Sequence, residues 1–138
     1  MSRRKPTRRS STPLWVWWIP VVWLVSAPVG FTPDPLWDRV NLIPFLDRAD
    51  KLSDMAVNLL LFVPFGYSFT RDPGGALRLV ATAGAVSIGA ELMQVFSTVR
   101  HPSTTDVCLA IAGALAGAGA ARWRRPAAKS PWTARGGR

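Results

Sequence analysis

Polar and apolar positions fall in long blocks along this chain, without the alternation that gives a water-soluble helix one wet face. Leu14 to Phe31 (LWVWWIPVVWLVSAPVGF) runs eighteen residues without a charge. Three further apolar blocks follow: Met55 to Phe69 (MAVNLLLFVPFGYSF), Ala76 to Phe96, and Val107 to Trp123. At ~1.5 Å per residue, a helix of roughly eighteen residues rises about 27 Å, close to the thickness of a hydrocarbon core. A soluble helical domain this short would need helices with a polar outer face, which these blocks lack. The pattern therefore predicts an all-α polytopic membrane protein. Its architecture is a four-helix transmembrane bundle with spans near 14–31, 55–69, 76–96 and 107–123. Pro20 and Pro28 are expected to bend the first span. A cleaved secretory signal is the alternative for that block, since a basic segment precedes it and Ser26-Ala27 could precede a cut. The block is longer than a usual signal core and Pro28 would follow the cut, so we read it as an uncleaved span.

Charge adds an orientation. The 138 residues carry 17 Lys+Arg against 8 Asp+Glu, a net charge of +9, yet mean hydropathy is only +0.15 because polar ends dilute an apolar middle. Segments 1–13 and 124–138 are basic and poor in branched aliphatics, too little to offset the entropy of ordering, and read as mobile tails around one membrane domain, 14–123. The two ends, with Arg122 at the close of the last span, plus Arg71 and Arg78 hold 13 basic residues, and the opposite side holds only Arg39, Arg48, Lys51 and Arg100. The positive-inside rule then puts both termini in the cytoplasm of a multi-pass cell-membrane protein. Trp15, Trp17, Trp18 and Trp123 fall at the inner interface and Trp37 beside the outer one, where amphipathic rings settle. The partner implied by this charge is the anionic lipid bilayer, not nucleic acid.

Chemistry is sparse. A single cysteine, Cys108, and a single histidine, His101, exclude an internal disulfide, a structural zinc cluster and a multi-histidine metal site, and no cofactor is expected. No phosphate-binding loop, nucleophile elbow or metalloprotease helix is present. The polar groups within the spans nevertheless converge on the outer side. Asn58 lies roughly 6 Å and Glu91 about 7 Å below the outer ends of their spans at helical rise. Gly84, Ser87, Glu91, Gln94 and Thr98 recur three and four apart and make one small, polar stripe. Asp106, Ala110, Gly113 and Gly117 make a matching stripe on the last span, and Gly113 to Gly117 is a spacing that permits close helix approach. A carboxylate at the depth of Glu91 costs about 2–3 kcal/mol on insertion scales, so it needs a partner, a proton or a task. Its plainer role is a hydrogen bond to Asn58 or Gln94 across helices. Asp106 follows Ser103, Thr104 and Thr105, any of which could cap the last helix. His101 reads as an exposed loop residue. The loop from Thr32 to Asp54 is expected to lie over this end, its Asn41-Leu42-Ile43-Pro44-Phe45 segment resting on the membrane surface.

The order of these residues resembles the VanZ-like family of small bacterial membrane proteins, named for a member associated with low-level teicoplanin resistance. The resemblance runs from Asn41 to Gly117 through Asn41-Leu42-Ile43-Pro44-Phe45, Asn58, Leu61-Phe62-Val63-Pro64-Phe65-Gly66, Glu91, Gln94, Arg100, Asp106, Gly113 and Gly117. Where the family usually carries Asn four residues after the aspartate, this chain has Ala110. The resemblance implies a cell-envelope role at the outer face. Asn41, Asn58, Glu91, Gln94, Arg100 and Asp106 are the candidate ligand-binding residues, Glu91 and Asp106 the candidate catalytic ones, and Pro64, Gly66, Gly113 and Gly117 the helix-packing set. The first reading is a protein that modulates susceptibility to lipoglycopeptide antibiotics, with a lipoglycopeptide or a lipid-linked envelope precursor as ligand. The alternatives are an enzyme on a lipid-linked envelope substrate, with Glu91 as base, and a structural assembly partner that docks through the glycine face. Four spans are too few for an inverted-repeat transporter, but a homo-oligomer could build a pathway between subunits.

Overall fold

A computed structural model describes residues 13–45, 52–69 and 75–124 of the chain. The tails read as mobile lie outside the described residues except for Pro13 and Arg124, as do Arg48, Lys51 and Arg71. Among the described residues the protein is all-helical: a 3-10 turn Leu14–Trp17 leads into α1 (Trp18–Val25), followed by α2 (Leu52–Phe69), α3 (Gly75–Gln94) and α4 (Thr104–Trp123). Helices α2, α3 and α4 are long and apolar enough to cross a membrane, whereas the helical part of the first block, Leu14–Val25, is shorter.

Helix α1 stops at Val25, six residues before the expected end at Phe31, and prolines explain both its limits. Pro20 falls in the first turn of α1, where an amide would lack an intrahelical partner anyway, so it starts the α-helix after the 3-10 turn and does not kink it. Pro28 disfavours helical geometry at Ala27, and the chain leaves the helix at Ser26. From there residues 26–45 form a strap laced along the α3–α4 connection. The Thr32 amide donates to the Phe96 carbonyl (2.9 Å), the Leu36 amide to Val95 (2.9 Å), and the Thr98 amide back to Gly30 (2.9 Å). The buried Ser97 hydroxyl donates to the Val29 carbonyl at 2.6 Å and accepts from the amides of Val99 and Arg100. One side chain thus satisfies three backbone groups that leave regular structure at this corner. Arg39, expected only as one of the few cations on its side, donates through Nη1 to the Thr98 carbonyl at 2.8 Å.

The bundle packs in two ways. Helix α4 lies parallel to α2 at backbone contact, because a Cβ at Gly113 would drive into the Leu59 carbonyl, one at Gly117 into the Val63 carbonyl, and one at Gly66 into the Ala114 carbonyl. Pro64 sits half-buried inside α2, which continues through it. The remaining core is aromatic and lies toward the α2 C-terminus: Phe62, Phe65 and Phe69 are buried, and Trp15 meets Phe65 edge-on (6.1 Å between centroids) and Phe69 at 5.1 Å. Trp23 of α1 comes against Gly89 of α3. The first segment therefore begins beside the end of α2 and finishes, at Phe31, in a bridge with Ser97 beyond the end of α3.

Candidate functional site

Ser87, Glu91 and Gln94, spaced four and three apart on α3, are all buried with Gly84, while Thr98 lies beyond the helix and is exposed. The Oε2 atom of Glu91 accepts the backbone amide of Ser103 at 2.9 Å. Ser103 is the N-cap of α4, and its own hydroxyl accepts the amide of Thr105 at 3.2 Å. In an ordinary capping box the acid three residues into the helix reaches back to the cap amide. Asp106 holds that position here, yet the cap amide is taken by an acid from a neighbouring helix. A carboxylate at the amino end of α4 also meets the positive end of its dipole. Glu91 thus fastens the outgoing end of α3 to the start of α4.

The strap completes the site. The Asn41 amide donates to the Pro102 carbonyl (2.8 Å), and the Asn41 carbonyl accepts both the amide and the hydroxyl of Thr104, each at 3.0 Å. The Phe45 amide, in a left-handed conformation (φ 61°), donates to the fully buried Thr105 hydroxyl at 2.9 Å. The expected position of the Asn41–Phe45 segment over this end is thereby specified: it crosses the head of α4. In the Asn41 side chain Oδ1 accepts the Ile43 amide at 3.1 Å, a turn that sets which way the carboxamide faces, since a flip would oppose two N–H groups. Its Nδ2 is buried and has no hydrogen-bond partner, alone among the described side-chain atoms in that condition. An unpaired buried donor costs about 1–3 kcal/mol, so it marks a place where an acceptor is missing.

Beside it opens a cavity of about 290 Å³. Trp37, Val40 and Leu42 of the strap form one wall, Ile88 and Leu92 of α3 with Val95 just beyond its end another, and Val107 of α4 the third. Its polar margin is Pro102, Ser103, Thr104 and Glu91, and Glu91 is the one ionisable group in this lining. Asn41, Asn58, Gln94, Arg100 and Asp106 do not line it. Asn58 is half-buried on α2, Gln94 buried on α3, and Arg100 half-buried in the connection with its amide on Ser97. Asp106 is half-buried in the first turn of α4, and His101 is exposed. Ala110 is fully buried next to the glycine stripe, so an asparagine there would need a buried partner. The structure thus places Glu91, of the candidate ligand-binding residues, in the cavity wall, with the backbone neighbours of Asn41 beside it, and leaves the second candidate acid outside its walls. Among the described residues no group of three or more His, Cys, Asp or Glu could hold a metal ion.

Sequence reasoning missed the apolar walls. Ile88 and Leu92 on α3, or Val107 on α4, carry no mark that separates a cavity lining from a lipid-facing surface. Thr105 and Ser97 were also missed as strap anchors, because hydrogen bonds to loop backbone leave no periodic signal.

A bundle with three membrane-length helices, a laced strap and an apolar cavity at the α3–α4 end defines a small helical membrane protein with a cavity at one end. Residues 14–125 match the VanZ/LLP1 family, and since this is most of the chain, the protein belongs to that family. Comparison with curated proteins and with solved structures gives no match.

Proposed function

We propose that this VanZ-like protein holds a lipid-tailed molecule of the cell envelope at its outer face and thereby lowers susceptibility to lipoglycopeptide antibiotics of the teicoplanin type. The observation that carries the reading is the cavity of about 290 Å³, apolar on three walls and polar at the margin formed by Ser103, Thr104 and Glu91. A single carboxylate already engaged by a backbone amide favours binding over proton transfer. Expression of the wild type in a sensitive host should raise the inhibitory concentration of teicoplanin, which bears an acyl chain, and leave vancomycin, which lacks one, unchanged. Val107→Phe, which fills the cavity, should remove the shift at matched membrane levels. Absence of any wild-type shift overturns the antibiotic reading.

The orientation belongs to the same proposal. Four crossings with both termini cytoplasmic place the α3–α4 end outside, as the 13 to 4 distribution of basic residues favours. The first crossing is then a helix of twelve residues, Leu14–Val25, extended by the strap as far as Phe31. Extended chain covers about 3.3 Å per residue, more than twice the helical rise, so the short helix does not prevent the segment from traversing the bundle. A fluorescent protein fused after Arg138 should be fluorescent and an alkaline phosphatase fused there inactive; the reverse pattern inverts the topology and moves the pocket to the cytoplasmic side.

A further inference from the structure

The wall that the strap gives to the cavity is held differently from the rest of the strap. At one end the Leu36 amide donates to the Val95 carbonyl; at the other the Asn41 amide donates to the Pro102 carbonyl and the Asn41 carbonyl accepts from Thr104. Val95 and Pro102 belong to the connection between α3 and α4, beyond the helix ends. The residues between these attachments, Trp37 to Val40, therefore arch over the head of the cavity, with Trp37 and Val40 in its lining. The arch is a single 3-10 turn, Trp37–Arg39, in which the amides of Arg39 and Val40 bond back to the carbonyls of Leu36 and Trp37 at 3.2 Å each. Such a turn satisfies itself. Its hydrogen bond to the body of the protein comes from a side chain, Arg39 Nη1 on the Thr98 carbonyl at 2.8 Å.

The flanks of the turn are built to bend. Leu36 (φ −95°, ψ 68°) and Val40 (φ −74°, ψ 117°) both lie outside helical geometry, so a residue on each side can take up a change in φ and ψ while the turn moves as a unit. Burial adds little hold, since Trp37 is 59% exposed. The strap on either side is fastened more firmly, by the Ser97 hydroxyl on Val29 and by the Phe45 amide on the fully buried Thr105. A segment with self-contained backbone bonds and little buried surface opens at low free energy while its surroundings stay folded. The catch opposite Arg39 does not move with it: the Thr98 amide is bonded to the Gly30 carbonyl at 2.9 Å, which fixes the corner that carries the Thr98 carbonyl. We infer that Trp37–Val40 is a flap that lifts from the head of the cavity on its attachments at Leu36 and Asn41, and that Arg39 latches it shut through the Thr98 carbonyl. Lifting it opens a way into the cavity from the aqueous side. The flap governs access and is independent of what the cavity holds.

The test measures arrival from water. The full chain with Cys108→Ser is placed in lipid nanodiscs, where both faces are open to reagent, and Val107→Cys puts a thiol in the cavity wall. The probe is a permanently charged methanethiosulfonate, which does not travel through hydrocarbon. With Arg39 in place, Val107→Cys should be modified more slowly than His101→Cys, a control in the exposed part of the connection. Arg39→Met should speed modification of Val107→Cys about fivefold, the factor that one net hydrogen bond contributes. Arg39→Lys, which keeps a cationic donor, should restore most of the slow rate. Hydrogen exchange separates a flap from general loosening: in Arg39→Met the amides of Asn41, Ser103 and Thr105 should exchange at the rate seen with Arg39 present. Unchanged modification in Arg39→Met overturns the inference, as does a rate with Arg39 present that equals the His101→Cys control. Acceleration at Asn41, Ser103 and Thr105 in step with the thiol overturns it too, because the whole strap would then be peeling away. Antibiotic susceptibility does not enter the readout, so the flap and the lipid-tail reading stand or fall separately.

Discussion

Gly113→Leu should prevent the protein from accumulating as a folded bundle, while Gly119→Leu, only six residues along the same helix, should be tolerated. The contrast follows from what a side chain would meet. At Gly113 it would enter the Leu59 carbonyl and approach the Phe62 side chain; at Gly119 nothing lies within 4 Å. A flexible side chain can swing aside, but the carbonyl of Leu59 is held in the backbone of α2, so the helices must separate. Separation removes the matching contacts of Gly117 against Val63 and of Gly66 against Ala114, which lie on the same α2–α4 face. Overpacking alone typically costs about 1–3 kcal/mol, and loss of three adjacent close approaches takes the effect to the upper end of that range or beyond. Leucine at exposed Gly119 should fall within about 0.5 kcal/mol of the wild type or gain slightly in helix propensity. Folded fraction by size exclusion in mild detergent, with thermal unfolding of what survives, separates the two; comparable losses at both positions would show that the glycine face does not hold α4 to α2.

The same face shows how far the sequence was legible. Length and apolarity sufficed to find α2, α3 and α4, because a block nearly free of charge and long enough to cross a bilayer has few other stable forms. Their ends shifted by up to three residues wherever a cap decided them: Ser103 begins α4 at Thr104 and not at Val107. The glycine spacing marked a close face, yet nothing in a spacing says that the partner is the parallel neighbour two helices earlier in the chain. The early end of α1 was written in Pro28, but a proline reads equally as a bend within a span or as its end until the strap that follows is known to have somewhere to bond. That somewhere is Ser97, Thr98 and Pro102, reached through main-chain groups that every sequence carries alike. Glu91 stood out because a carboxylate among apolar residues is costly. Asn41 stood out only through the family resemblance, since its distinction is a hydrogen bond it lacks.

Glu91→Ala should destabilise the protein by about 3 kcal/mol, whereas Glu91→Gln should cost about 1 kcal/mol, because the two replacements leave the Ser103 amide in different states. Alanine removes the acceptor and strands a buried N–H at the start of α4; glutamine still offers an oxygen at the same reach and loses only the charge that assists the bond and complements the helix dipole. The damage should be local first. Thr104 and Asn41 are joined through the same cap, so loosening Ser103 also loosens the strap above the cavity. Hydrogen exchange at the amides of Ser103 and Thr105 should accelerate at least about tenfold in Glu91→Ala, the factor that accompanies 1.4 kcal/mol of local opening, and far less in Glu91→Gln. Unchanged exchange in Glu91→Ala would mean that the carboxylate does not cap α4. The comparison also divides structure from function at this residue: if the antibiotic phenotype survives in Glu91→Gln, the carboxylate serves as the clasp between α3 and α4, and the pocket works through its apolar walls. If it is lost while exchange at Ser103 stays slow, the charge itself is used by the ligand or the chemistry.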